Sequence, residues 1–226
     1  MNYLITGGAG FIGSHFVKHL ALNSGLKVNK IRILDKLTYA GNLRNLQGFE
    51  DQIEFIEGDI CNPDVVFKCL KNIDCVVNFA AESHVDRSIA SSDIFIKSNV
   101  LGTKNLLDQS LNFPDIKFLQ ISTDEVYGSI EQGEATENSL LQPNSPYAAS
   151  KASADLIVRS YSKTYGIETL ITRCTNNYGP NQYPEKIIPF LFQTYLKAKK
   201  FQYMEVVKTS EIGYMLKIIV AESHLS

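Results

Sequence analysis

The chain has 226 residues, 44% of them hydrophobic and 20% charged, with a formal net charge of −2. That balance leaves no basic footprint, so nucleic acid and anionic membrane surfaces are not expected partners. No apolar run reaches the length of a membrane span, and the N-terminus lacks the charged start and cleavage site of a signal peptide. Cys61, Cys69, Cys75 and Cys174 show no metal-ligand spacing. This predicts free thiols, no metal and a cytoplasmic setting.

The pattern then alternates strand and helix. Tyr3 to Thr6 is a short apolar strand, followed by Gly7-Gly8-Ala9-Gly10-Phe11-Ile12-Gly13 and a helical pattern through Phe16, Val17 and Leu20. Strand, glycine turn, helix is the context that makes a phosphate site. Glycines let the backbone approach a pyrophosphate, and the helix N-terminus meets its charge. The spacing is G-x-x-G-x-x-G rather than the commoner G-x-G-x-x-G, and alone it fits a plain turn equally well. Ile31 to Asp35 is the second strand. It ends on an acid about 20 residues past the glycines, where a ribose-binding carboxylate belongs and where a 2′-phosphate would be repelled.

Ile53 to Glu57 reads as a third strand, leading to Gly58-Asp59-Ile60 and a helix through Val65 to Leu70. Cys75 to Ala81 reads as a buried parallel strand running into small residues, which leave room for a flat ligand. A helix over about 93–111, a strand from Ile116 to Ile121, a helix from Ser145-Pro146 to Tyr165-Gly166 and a strand from Ile167 to Thr172 complete the series. The alternation predicts an α/β fold, a doubly wound parallel sheet with helices on both faces.

Two clusters carry chemistry. Asp124 and Glu125 adjoin Thr123 where a strand ends, at the sheet edge where catalytic groups gather. Neighbouring carboxyls in different environments can divide into one acid and one base, although two solvated loop acids would look the same. Tyr147 and Lys151 are four residues apart on a helix and so share a face. An ammonium near a phenol favours the phenolate. The bare pattern is short and also fits an amphipathic surface.

The combined motifs resemble those of the extended short-chain dehydrogenase/reductases, and within them the dTDP-glucose 4,6-dehydratases. TGGAGFIGS, DKLTYAGNL from Asp35, GDI at Gly58, AAESHVDRS from Ala80, STDEVYG, YAASK and RCTNNYGPNQYPEKIIP from Arg173 carry the resemblance over residues 1 to about 200. It implies a Rossmann-like NAD-binding domain over 1–172, the start of a substrate region over 173–200, and a homodimer formed through the helices near 93–111 and 146–165. Gly7, Gly10, Phe11, Ile12 and Gly13 would line the pyrophosphate. Asp35, Lys36, Leu37 and Thr38 would hold the adenosine ribose, and Asp59-Ile60 the adenine edge. Phe79, Ala80, Ala81, Ser83, Ser98 and Asn177 would complete the cofactor site, together with Tyr147 and Lys151. Ser83, Asn176, Lys186 and Ile187, with Thr123, Asp124 and Glu125, would touch the sugar nucleotide, dTDP-glucose. Tyr147, helped by Lys151 and Thr123, would oxidise carbon 4 with NAD, Glu125 would deprotonate carbon 5 and Asp124 would protonate the leaving hydroxyl. Epimerases share the glycine and Tyr/Lys motifs but usually lack the Thr-Asp-Glu run.

After Lys200 the resemblance is expected to stop. Permitted codons for the tail, read one base out of register, give PIYGGSKNVRDWLYVEDHC, which restores the family pattern. Residues 201–226 are therefore expected to be a frameshift product, and the chain an NAD-dependent dehydratase by descent; the alternatives are another sugar-nucleotide epimerase or dehydratase of the same superfamily, or an inactive NAD-binding fragment.

Overall fold

The computed structural model describes residues 1–198 apart from Ser24, so the expectation for 201–226 lies outside the described residues. The chain forms two compact units, Met1–Tyr183 and Pro184–Ser226. Residues 173–183 thus lie with the first unit, although the sequence reading assigned them to a second region.

The first unit holds six parallel strands: β1 (Asn2–Thr6), β2 (Lys30–Asp35), β3 (Ile53–Glu57), β4 (Cys75–Asn78), β5 (Lys117–Thr123) and β6 (Glu168–Cys174). Their order across the sheet is β3-β2-β1-β4-β5-β6. This is the doubly wound order that reverses between β1 and β4, and ligands bind at such a switch point outside the carboxyl ends of the strands. The register places Thr6 beside both Leu34 and Asn78, and Thr123 beside Cys174.

Strand side chains alternate, and the sheet buries both faces. Leu4, Leu34, Val76 and Phe118 enter one core with Val66, Leu70, Leu106, Leu107 and Val158. Ile5, Ile31 and Ile33 enter the other with Val17, Leu20 and Leu46. Polar groups also cross the sheet. Thr6 Oγ1 donates to Asn78 Oδ1 at 2.6 Å, and Asn78 Nδ2 donates to Gln120 Oε1 at 2.8 Å and to Thr103 Oγ1 at 3.2 Å. The buried Asn78 amide is thereby satisfied at both its oxygen and its nitrogen, which avoids a desolvation cost.

Apart from α3, the helices fall in the expected places. They are α1 (Phe11–Leu22), α2 (Pro63–Leu70), α3 (Val85–Ala90), α4 (Asp93–Phe95), α5 (Thr103–Ser110) and α6 (Pro146–Tyr165). One expectation is refined: the single helix over 93–111 carries a π-helical stretch, Ile96–Gly102, between α4 and α5. A second is extended: β5 runs two residues past Ile121 and ends at Thr123, the strand end at which the two acids were expected. Conversely, β4 stops at Asn78, and Phe79 to Ala81 lie beyond the strand. In the second unit, α7 (Ile187–Ala198) carries Ile187, Phe190, Phe192 and Tyr195 exposed.

Candidate active site

The glycine turn is fixed from outside itself. Gly7 has φ +67, and a Cβ there would lie 2.7 Å from the Ala80 nitrogen; one on Gly13 would lie 2.3 Å from the Gly7 oxygen. Gly7 lets the turn pass the end of β4, and Gly13 lets α1 close onto the turn. The peptide of Ala9 is held from both sides. Its N–H donates to Asp35 Oδ2 at 2.9 Å, and its oxygen accepts from Asn42 N at 3.0 Å and Asn45 Nδ2 at 2.9 Å. The loop after β2 therefore sets the glycine turn. Gly10 is the N-cap of α1, with no side-chain cap and no acid in the first turn. The positive end of α1 is thus open to an anion.

Asp35 is buried. Its other oxygen accepts from Leu37 N at 2.9 Å, and Leu37 itself sits at φ 51. Burial pushes the Asp35 carboxyl up, while these two backbone donors and Lys36 pull it down. Lys36 turns away, donating from Nζ to Ser98 Oγ at 3.0 Å. Thr38 is partly buried, and its oxygen accepts from Gly41 N at 3.0 Å. Asp59 Oδ1 accepts from Cys61 N at 2.8 Å. Ile60 puts its side chain into the core and offers its carbonyl to Asn105. Phe79 is bonded through its N–H to the Thr6 carbonyl and packs on Phe16. Ala80 and Ser83 are half-buried; Ala81 and Ile12 are exposed, and Phe11 is half-buried against His15.

At the carboxyl end of β5, Thr123 caps the turn Asp124–Tyr127, its hydroxyl accepting from Glu125 N at 3.3 Å and donating to Asp124 Oδ1 at 3.3 Å. Gly128 then reverses the chain at φ 78, where a Cβ would lie 2.1 Å from the Gln142 oxygen. Asp124 is half-buried and Glu125 exposed, so the two carboxyls occupy different environments. Helix α6 starts at Ser145, whose hydroxyl accepts from Ala148 N, with Pro146 in the first turn. The N–H of Tyr147 is taken by Ser88 Oγ at 3.1 Å.

Tyr147 and Lys151 are both buried on the inner face of α6. The phenol touches the Thr123 hydroxyl and lies near Glu125 and Asp124. The expected electrostatic help from Lys151 is not what dominates. Burial and then Glu125 push the phenol above its ordinary range, and the Thr123 hydroxyl opposes them. Lys151 Nζ donates to the Ile121 carbonyl at 2.5 Å. Burial brings the ammonium down to about 8, against the opposing pull of Asp155. Asp155, one helical turn on, is paired with Arg173 Nε at 2.9 Å, and Arg173 Nη1 donates to the Tyr127 hydroxyl at 2.8 Å. Cys174 Sγ lies 3.6 Å from the Ser122 oxygen and accepts from Asn177 Nδ2 at 3.1 Å. Asn176 and Asn177 are exposed after β6; Lys186 and Ile187 belong to the second unit.

Sequence reasoning missed Asn99. It is 1% exposed, its Oδ1 accepts from Glu82 N at 2.8 Å, and its Nδ2 donates to Glu82 O at 3.0 Å and Ser150 Oγ at 2.8 Å. Ser150 in turn donates to the Tyr147 carbonyl at 2.7 Å. The available signal was a polar residue in an apolar helical register, with Phe95, Gly102 and Leu106 buried on the same stripe. Ser88, Asn78 and the Asp155–Arg173 pair were also missed as supports of the site.

A parallel sheet with an open helix N-terminus at its switch point, and a buried Tyr/Lys pair beside two carboxyls, defines a Rossmann-like α/β fold with ionisable groups gathered at a strand edge. The GDP-mannose 4,6 dehydratase family model matches residues 4–211, and the chain belongs to that family. The match runs eleven residues past Lys200, where the resemblance was expected to stop. The low-salt glycan biosynthesis protein Agl12 of Haloferax volcanii is 52% identical over 195 residues, which are 85% of this chain and 62% of that protein. A dTDP-glucose 4,6-dehydratase of Streptomyces antibioticus is 52% identical over 199 residues, 87% of this chain and 59% of that enzyme. The crystal structure of the dTDP-glucose 4,6-dehydratase DesIV from Streptomyces venezuelae, with NAD bound, is 50% identical with a TM-score of 0.83, covering 88% of this chain and 63% of that one. A UDP-glucuronic acid 4-epimerase from Bacillus cereus is similar at 32% identity, TM-score 0.81, covering 87% and 63%. The chain thus spans about three fifths of the length of these relatives. Among the described residues no helix is long and apolar enough to cross a membrane, and no group of three metal-ligating side chains comes together.

Proposed function

We propose that the chain is an NAD-dependent dehydratase of a nucleotide sugar, converting dTDP-glucose to its 4-keto-6-deoxy form. The observation that carries this reading is the buried Tyr147 phenol in contact with Thr123 and flanked by Glu125 and Asp124. The residues present fit a dinucleotide. The uncapped N-terminus of α1 suits a pyrophosphate, and Asp35 at the end of β2 keeps lone pairs for ribose hydroxyls beyond its two backbone bonds. Phe11, Ile12 and Gly13 would offer backbone to the phosphates, Asp59-Ile60 would border the adenine, and Phe79 to Ala81, Ser83, Ser98 and Asn177 would complete the site. When bound, NAD supplies the acceptor and then the donor of one hydride, and a positive charge beside the phenol.

Tyr147 takes the proton of the sugar 4-hydroxyl as carbon 4 is oxidised. Its high proton affinity makes it a strong base once ionised. Lys151 and Thr123 position it. The 4-keto group acidifies carbon 5, from which Glu125 takes a proton. Asp124, half-buried and bonded to Thr123, gives a proton to the 6-hydroxyl, which leaves as water. One hydride leaves carbon 4 and one returns to carbon 6 while Glu125 gives its proton back to carbon 5; the proton Tyr147 takes offsets the one Asp124 gives, so the net change is loss of one water. Asn176, Lys186 and Ile187 would contact the sugar nucleotide. Pairing of two copies through the 93–110 helical run and α6 is supported by Leu101 and Leu156, both 54% exposed. The four free thiols are in keeping with a cytoplasmic, reducing compartment.

A 4-epimerase is the second reading, supported by the epimerase neighbours at lower identity. The two separate in Glu125→Gln. On mixing this variant with NAD and dTDP-glucose, the dehydratase reading expects the near-ultraviolet absorbance of reduced nicotinamide to accumulate, because carbon 4 is oxidised and elimination is blocked. Undiminished formation of a 4-epimer by that variant would favour the epimerase.

A further inference from the structure

Asp35 and Lys36 are neighbours at the end of β2, and their charges point apart, as successive strand side chains do. The carboxylate turns to the glycine turn, accepting from Ala9 N. The ammonium turns to a pocket built by three other segments. It donates to Ser98 Oγ at 3.0 Å and lies 3.9 Å from Asp59 Oδ2 and 3.9 Å from Glu82 Oε1. Glu82 cannot follow the lysine outward. Its side chain is 8% exposed, and both its backbone N–H and its carbonyl are held by Asn99. Ser98 is likewise buried, in the π-helical stretch.

Resting on the NAD reading above, we propose that this tether makes Lys36, Asp59 and Glu82 specificity-determining residues that exclude a 2′-phosphorylated dinucleotide. A cation next to the ribose-binding acid is the group that would receive a 2′-phosphate. Here two carboxylates and a hydroxyl occupy it, and the ribose side keeps the Asp35 charge. Three carboxylates and one ammonium leave this edge at net −2, which repels a phosphate of similar charge. The selectivity therefore has two locks. Removing Asp35 alone leaves the lysine tied.

Isothermal titration calorimetry with NAD and with NADP tests this on the full chain. The wild type is expected to bind NAD and to bind NADP far more weakly. Asp35→Asn should weaken NAD and leave NADP weak. Combining Asp35→Asn with Asp59→Asn and Glu82→Gln should tighten NADP by about tenfold beyond the product of the separate effects, the worth of one charge-assisted phosphate contact. Adding Lys36→Met to that combination should erase the gain. Lys36→Met alone should leave NADP as weak as in the wild type. If Glu82→Gln impairs folding by circular dichroism, Asp35→Asn with Asp59→Asn, at a half-exposed position, carries the same test. An NADP gain no larger than the product of the single effects, or one that survives Lys36→Met, overturns the tether while leaving NAD binding intact. A wild type that binds neither dinucleotide overturns the NAD reading and the tether with it.

Discussion

Lys151 reaches from α6 to the main-chain oxygen of Ile121, 2.5 Å away, two residues before Thr123 in β5. The bond ties the helix carrying Tyr147 to the strand that leads into the two acids. It also buries an ammonium, whose affinity for its proton falls to about 8.

This has a pH signature. The folded pKa of Lys151 lies below the unfolded value near 10.5, so the unfolded state holds the extra proton between about pH 8 and 10.5. Stability contributed by this group therefore rises with pH across that window. Urea unfolding of the wild type and of Lys151→Met at pH 7 and at pH 9.5 isolates the effect. The wild type should gain relative to the variant as pH rises, by about 2 kcal/mol between pH 7 and pH 9.5. Parallel stability curves would show that Lys151 is not strained by burial.

Gly13 and Gly10 should differ. A Cβ on Gly13 meets the Gly7 oxygen at 2.3 Å, whereas on Gly10 its nearest contact is the same oxygen at 3.2 Å. Gly13→Ala is expected to cost about 2–4 kcal/mol in urea unfolding and Gly10→Ala clearly less, since only the first forces backbone to move. Equal costs would mean that α1 can slide away from the turn.

Asn99→Ala should destabilise by about 2–4 kcal/mol, because it leaves the buried Glu82 N–H and carbonyl unpaired at once. Asn99→Asp keeps an acceptor for the Glu82 N–H and should recover part of the loss. Thermal unfolding of the three proteins gives the order.

Arg173→Met leaves the buried Asp155 carboxylate without its ion pair and should cost about 3–5 kcal/mol. Adding Asp155→Asn should return much of it. A double variant no more stable than Arg173→Met, compared in urea, would show that Arg173 acts through Tyr127 instead.

The sheet was legible because each strand is an apolar run and each helix an amphipathic one. The periods 2.0 and 3.6 are properties of the local chain. Thr123, Asp124, Glu125, Tyr147 and Lys151 were legible because a strand end and one helix face bring them together. What supports them was not. Asn99, Ser88 and Asp155 act through partners 51, 59 and 18 residues away, and nothing in a local pattern names such a partner. The direction of the Tyr147 shift escaped for the same reason. Spacing puts Lys151 on the right face, but only the packed structure shows its ammonium spent on Ile121 and Glu125 beside the phenol.

The most direct test is incubation of the full chain with NAD and dTDP-glucose, following the 4-keto-6-deoxy product. The account predicts product from the wild type, and none from Asp124→Asn, Glu125→Gln or Tyr147→Phe while each still binds NAD. A wild type that binds NAD and forms no product, or a Glu125→Gln variant that forms it undiminished, would contradict it.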